Sequence, residues 1–291
     1  MKRKQVIKNT YTSRQIFIKK FMKNKLAVVG SLIIIVFVIM AIFAPIFATF
    51  DPNTTDLLNI RTSPNKVHIL GTDDLGRDIF SRLLYGGRVS IAVGVASMML
   101  QILIGVTIGV IAGYFGGLMD KIIMRIVDII MCFPFFVIAI ALAAVIGGSI
   151  TNLVLIIGML MWPVITRIVR GEVLVTKQNE YILAAKALGF NTFEIIIHHI
   201  IPNIISAILV SSTLCIAQGI LMEATLSFLG LGVNPPTPSW GNMLVAAQNM
   251  SVLSHKWWMW IPAGMSVVLI VLSLNFVGDG LRDALDVEKS V

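Results

Sequence analysis

The chain has 291 residues, of which 57% are hydrophobic and only 13% charged, with a mean hydropathy of +0.89. A soluble domain carries roughly 25% charged residues, so this composition excludes a disordered or fibrous protein and argues against a water-soluble globule. The net charge of +8 sits in one place: residues 1–25 hold nine Lys and Arg and no acid, while the rest of the chain holds fourteen bases against fifteen acids.

That arm (Lys2, Arg3, Lys4, Lys8, Arg14, Lys19, Lys20, Lys23 and Lys25) precedes an apolar run, as the positive-inside rule expects of a cytoplasmic N-terminus. Nucleic-acid binding requires a basic face on a folded domain, which the remaining sequence lacks. Residues 26–50 carry no charge and suit a first, uncleaved span, since a bilayer core takes about 20 apolar residues of helix. Residues 51–88 read as an outer loop. Within it Ile79, Phe80, Leu83 and Leu84 alternate with Arg77, Asp78, Ser81 and Arg82 at the spacing of an amphipathic interfacial helix.

Residues 89–278 then supply five more spans, near 89–113, 122–146, 151–170, 203–229 and 258–278. The Gly147-Gly148-Ser149 break divides one long apolar stretch in two. Pro134 and Pro163 fall inside spans and are expected to bend them. Six spans place both termini on one side. The Lys and Arg then divide seventeen inside to six outside, so both ends are expected in the cytoplasm, the C-terminal tail being 279–291. The fold class is thus an all-α, six-span membrane protein.

Residues 171–202 form an inner loop with more design than a connector needs. Glu180 to Leu188 reads as a short helix stopped by Gly189, where positive φ is expected. Asn191 and Glu194 have the spacing of a capping box for a second helix, which Pro202 is expected to close. Paired helices too short to cross a membrane suit either a docking knob or a surface connector, and spacing leaves both open.

Few residues offer chemistry. Cys132 and Cys215 lie 83 positions apart in apolar runs and read as buried hydrophobes. His198 and His199 are adjacent, so they point about 100° apart on a helix and do not share a metal; no metal site is expected. There is no G-x-x-x-x-G-K-[ST], H-E-x-x-H, G-x-S-x-G or G-x-G-x-x-G. Arg125 and Asp128, three apart, are expected to pair with each other. Glu223, late in the fifth span, either faces a translocation pathway or fixes the outer loop by hydrogen bonds. Ser212 and Gln218 precede it as further pathway candidates, with helix packing the competing role. Gly105, Gly109 and Gly113 make a tandem G-x-x-x-G ridge, for packing within the chain or against a second subunit. Pro235-Pro236-Thr237-Pro238 stiffens an outer loop, and Trp240, Trp257, Trp258 and Trp260 mark the outer interface.

The inner loop resembles the EAA loop of ABC importer permeases, E-A-A-x3-G-x9-I-x-L-P, at Leu183-Ala184-Ala185, Gly189, Ile201 and Pro202. Leu183 stands at the Glu position, and Glu180 lies three residues earlier. Residues 70–78 (LGTDDLGRD), 113–117 (GYFGG), 223–232 (EATLSFLGLG), 235–241 (PPTPSWG) and 278–283 (GDGLRD) are similar to signatures of the oligopeptide, dipeptide and nickel permeases. The resemblance spans about Ser13 to Asp286 and points to the C-type subunit.

It implies the type I permease fold in a bacterial inner membrane and half of a pathway for oligopeptides or dipeptides. It also implies a coupling helix in the 171–202 loop. The implied partners are a paralogous second permease, two ATPase subunits or domains, and an extracellular or periplasmic binding protein. This chain itself would bind no cofactor, ATP and Mg being used by the ATPases. A nickel-chelate permease of the same family and a stand-alone secondary transporter are the alternatives. The second would call for inverted repeats and charged midplane sites.

Overall fold

A computed structural model describes residues 13–286. Lys2, Arg3, Lys4 and Lys8 of the basic arm, and Lys289 of the tail, lie outside the described residues. Within 13–286 the secondary structure is helical, apart from an isolated bridge between Thr72 and Asp78.

The expected first span is three pieces. Helix α1 (Ser13–Lys23) ends at Asn24, whose side chain accepts from the Ala27 amide at 3.2 Å and so starts α2 (Lys25–Ile42). A short α3 (Ala44–Phe47) follows, with Pro45 in its first turn. Turns then run to Asp78, where α4 (Ile79–Phe115) begins. The loop is therefore ten residues shorter than expected. The amphipathic segment is no separate interfacial helix but the opening of α4. At 37 residues, α4 is about 55 Å long, against a hydrocarbon core of about 30 Å.

The turns of 51–78 are held by hydrogen bonds and ion pairs, with Leu70 packed against the cluster around Trp258 and Met259. One oxygen of Asp78 accepts from the Ser81 amide (2.8 Å) and hydroxyl (2.7 Å), capping α4, and its other oxygen lies 3.0 Å from His68 Nδ1. The Phe50 amide donates to Ser81 Oγ at 3.1 Å, tying the end of the first span to the start of the second. Buried Arg82 donates to the Pro52 carbonyl at 2.9 Å and stands 3.5 Å from Asp73, which also pairs with Arg77 at 2.7 Å. The Asp56 carboxyl is held below its ordinary pKa chiefly by the Asn59 side-chain amide.

Helices α5 (Gly117–Cys132) and α6 (Phe135–Ile146) meet at 79°. Pro134 drives Phe133 into extended backbone (φ −85°, ψ 135°), so the expected span 122–146 is sharply broken rather than gently bent. Pro163 behaves differently: α7 (Ile150–Thr176) passes through it without interruption. After α7 come α8 (Glu180–Ala187), α9 (Thr192–Ile195), a π turn (Ile196–Ile200) and α10 (Ile201–Phe228). The chain closes with α11 (Trp240–Leu244), α12 (Met250–His255) and α13 (Ile261–Asp286). Among the described residues five helical stretches are long and apolar enough to cross a membrane, six if the bent pair counts as one span.

The most extensive packing is between α4 and α7. A Cβ placed on Gly105, Gly109 or Gly113 would lie 2.6, 2.8 and 2.7 Å from the Cβ atoms of Ile165, Val169 and Val173. Three glycines at four-residue spacing thus receive three β-branched side chains at the same spacing. The glycine ridge serves packing within the chain. Gly94 and Gly219 bring α4 and α10 together in the same way, and Gly30 meets the Ser273 carbonyl of α13.

Charges near one end of the bundle pair between helices. Asp128 of α5 pairs with Arg167 of α7, not with Arg125, which is exposed. Arg170 of α7 donates to Asp120 of α5, one bond at 2.6 Å. The expected local pair does not form because the Arg167 guanidinium, arriving from α7, takes the Asp128 carboxylate in a charge-assisted bond.

Candidate functional site

The loop between α7 and α10 has two faces. Gly189 has φ +85°, which ends α8: the Gly189 amide donates to the Lys186 carbonyl (3.1 Å) and the Phe190 amide to the Ala185 carbonyl (3.2 Å). These are the two bonds of a Schellman stop. Helix α9 is opened by a reciprocal capping box. The Asn191 amide donates to the Glu194 carboxylate (3.0 Å), and the Glu194 amide donates to the Asn191 side chain (2.9 Å). Glu180 is exposed in the first turn of α8, where a negative charge complements the helix dipole.

Pro202 does not close this element. The backbone runs on from α9 through the π turn into α10, with Pro202 in the first turn of α10. The wide turn makes room for a residue without an N–H: the Ile201 amide reaches back to the Ile196 carbonyl, and the Asn203 side chain donates to the His199 carbonyl at 2.6 Å. The result is a stiff lever joined end-on to α10.

The inner face of the loop belongs to the bundle core. Ile182, Ala185, Ile195 and Ile200 are buried in one cluster with Val110 of α4 and Ile165, Val169 and Val173 of α7. The outer face is apolar yet uncovered: Leu188 is 78% and Phe193 72% exposed, and Leu183, Tyr181, Phe190 and Ile197 are exposed with them. Ala184 and Lys186 are also exposed, with the Lys186 ammonium 5.2 Å from the centre of the Tyr114 ring. Leu183, at the position where the motif has Glu, therefore widens the exposed apolar face. Ala185, by contrast, is a core residue. Spacing alone did not divide the Ala-Ala pair, since a two-turn helix touches the bundle along one narrow edge.

At the opposite end, Glu223 is fully buried. Its carboxyl accepts from Ser90 Oγ of α4 and from Ser227 Oγ one turn on, both at 2.7 Å. The Ser90 hydroxyl in turn accepts the Trp240 amide at 3.1 Å, and Trp240 Nε1 donates to the Leu83 carbonyl at 3.0 Å. Of the two roles open to Glu223, the geometry is that of a clasp between α4, α10 and the segment entering α11. Replacing Glu223 by Ala leaves buried Ser90 and Ser227 without their acceptor. We expect a loss of about 2–3 kcal/mol, read as earlier thermal unfolding in detergent, and a smaller loss for Glu223→Gln, which keeps a carbonyl oxygen. Unchanged unfolding for Glu223→Ala would show that the clasp contributes nothing.

Ser212 bonds its own helix at the Ile208 carbonyl (2.7 Å) and is half-buried. Gln218 is exposed midway along α10, four residues beyond Leu214. On the same stripe Ala207, Val210, Ser211 and Leu214 border a cavity of about 330 Å³ that Glu172 and Arg282 also line. Among the described residues no three His, Cys, Asp or Glu side chains gather as a metal site would require.

Residues 105–289 match the family described as binding-protein-dependent transport system inner membrane component. Residues 12–64 match the N-terminal transmembrane domain of oligopeptide transport permease C. The chain is 45% identical to the oligopeptide transport system permease protein OppC of Bacillus subtilis, over 92% of this chain and 87% of that one. It is 43% identical to the dipeptide transport system permease protein DppC of Alkalihalophilus pseudofirmus, over 92% and 88%. It is 42% identical to the glutathione transport system permease protein GsiD of Shigella flexneri, over 93% and 89%.

Proposed function

The chain belongs to the binding-protein-dependent transport system inner membrane components, and from that premise we propose that it is the peptide-importing permease subunit whose 177–200 loop takes up the motion of a separate ATPase. The observation that carries this reading is the two-sided loop. Its buried face is continuous with the α4–α7 seam, so a displacement of the loop is a displacement of the bundle. Its exposed side carries six large apolar side chains, Tyr181, Leu183, Leu188, Phe190, Phe193 and Ile197, of the kind that mark protein contacts. The sequence has no phosphate cradle of its own, in keeping with ATP and Mg being handled by partner chains.

Both termini and this loop then lie in the cytoplasm, as the Lys and Arg distribution favours, and the 51–78 loop faces the binding protein. A second, paralogous permease completes the pathway. The stripe through Ser211 and Gln218 supports its position. An amide facing lipid in mid-span has no hydrogen-bonding partner there, whereas a second subunit or a wet path supplies one. Relatives named for oligopeptides, dipeptides and glutathione support a peptide-class substrate.

The test is reconstitution into proteoliposomes with the second permease, the ATPases and the binding protein. Peptide uptake should require ATP and every component. Uptake by this chain alone, driven by an ion gradient, would refute the reading. So would a cognate binding protein that takes chelated nickel and no peptide.

A further inference from the structure

Arg88 stands apart from the paired charges of the bundle. Asp120, Asp128, Arg167 and Arg170 pair across helices, and Arg77 and Arg82 are engaged by Asp73. Arg88 is exposed, its guanidinium lies 5.8 Å from the centre of the Tyr85 ring, and among the described residues no carboxylate pairs with it.

Its depth follows from the helix rise. At the far end of α4, Lys177 donates to the Gly113 carbonyl at 2.7 Å. Arg88 lies 25 residues before Gly113, about 37 Å along the axis. A hydrocarbon core is about 30 Å thick, and about 40–45 Å with its headgroup layers. Two cations spaced so reach the headgroup layers of opposite leaflets, and the aromatic ring of Tyr85 stands at the same level as Arg88, as interfacial aromatics do.

Beside Arg88, between α2 and α4, a groove of about 340 Å³ is lined by Val38, Ala41, Ile42, Ile91, Ala92 and Val95. It opens on a face where Ile39, Ile42 and Ala92 are exposed, so bilayer and not water lies outside it. An apolar slot ending at an unpaired guanidinium, at the depth of the lipid phosphates, has the two-part chemistry of a phospholipid. Guanidinium binds phosphate through paired, charge-assisted hydrogen bonds.

We propose that this groove holds an acyl chain of a phospholipid from the leaflet beside the 51–78 loop, with its phosphate on Arg88. The lipid would brace α2 against α4, while α13 grips α2 at Gly30.

The test uses the full chain purified with its partner subunits in mild detergent, stripped of lipid and titrated with phosphatidylglycerol or with diacylglycerol of the same chains, bound lipid being counted by native mass spectrometry. Phosphatidylglycerol should bind about tenfold more tightly than diacylglycerol. Arg88→Gln should abolish that difference while leaving diacylglycerol binding as it was. Ala92→Phe, which fills the groove, should weaken both. Equal preference for phosphatidylglycerol in wild type and Arg88→Gln would overturn the assignment. So would a photoreactive side chain at position 92 that captures the second permease instead of lipid, since the groove would then be a subunit contact.

Discussion

Gly109→Leu is expected to leave little folded protein in the membrane. The first added carbon falls 2.8 Å from Val169 Cβ and 2.9 Å from the Thr166 carbonyl, and neither is the yielding end of a flexible side chain. Because Gly105 and Gly113 fit Ile165 and Val173 just as closely, α4 and α7 cannot part at one point without parting along the whole seam. Overpacking a close-fitted core costs about 1–3 kcal/mol, and a leucine wedged at the middle of this seam should reach the upper end of that range or pass it. The measurement is monodisperse yield and thermal unfolding in detergent. Gly171→Ala on α7 is the control, since a Cβ there meets no atom within 4 Å, and it should be neutral or slightly stabilising. Normal yield and unfolding for Gly109→Leu would mean that the seam is looser than these contacts show.

The second large effect separates the two faces of the 177–200 loop. Ala185→Asp puts a carboxylate among Ile182, Ile195 and Ile200, so it should loosen the loop and lower thermal stability by several degrees. Leu188→Asp and Phe193→Asp place the same charge on exposed positions and should leave unfolding unchanged. Gly189→Val acts by a third route. No atom lies within 4 Å of the first added carbon, so the cost falls on the backbone, about 1–2 kcal/mol for a residue held at φ +85°. It should fray the Schellman stop without disturbing the seam. Equal unfolding by Ala185→Asp and Leu188→Asp would show that the loop lacks distinct faces.

What could be read from the chain, and what could not, follows from the range of the interactions. The capping box at Asn191 and Glu194, the positive φ of Gly189 and the Gly147-Gly148-Ser149 turn are set by residues within a few positions of one another. Sequence reading reaches these. The start of α4 is hidden in the sequence because charge is the mark of a span's end. Arg82 is charged, yet it is buried against the Pro52 carbonyl, a partner thirty residues away. Spacing pairs Asp128 with a neighbour on its own helix, whereas Arg167 arrives from α7 only after the chain has turned back. Pro202 looked like a stop because a regular helix cannot hold it in mid-course, and the π turn before it has no simple signature. Whether Glu223 faces a pathway or a clasp depended on Ser90, 133 residues away. The exposed and buried edges of α8 needed the bundle itself to tell them apart.

The claim on which the rest depends is that the exposed apolar face of this loop receives the ATPase. It is tested most directly by Leu188→Asp combined with Phe193→Asp, with ATP-driven peptide uptake and ATPase co-purification measured together at matched membrane abundance. The expected result is a permease that inserts, keeps its thermal stability and retains the second permease, yet recovers at least tenfold less ATPase and transports in proportion. Uptake and ATPase recovery equal to wild type would contradict it and leave the loop a connector.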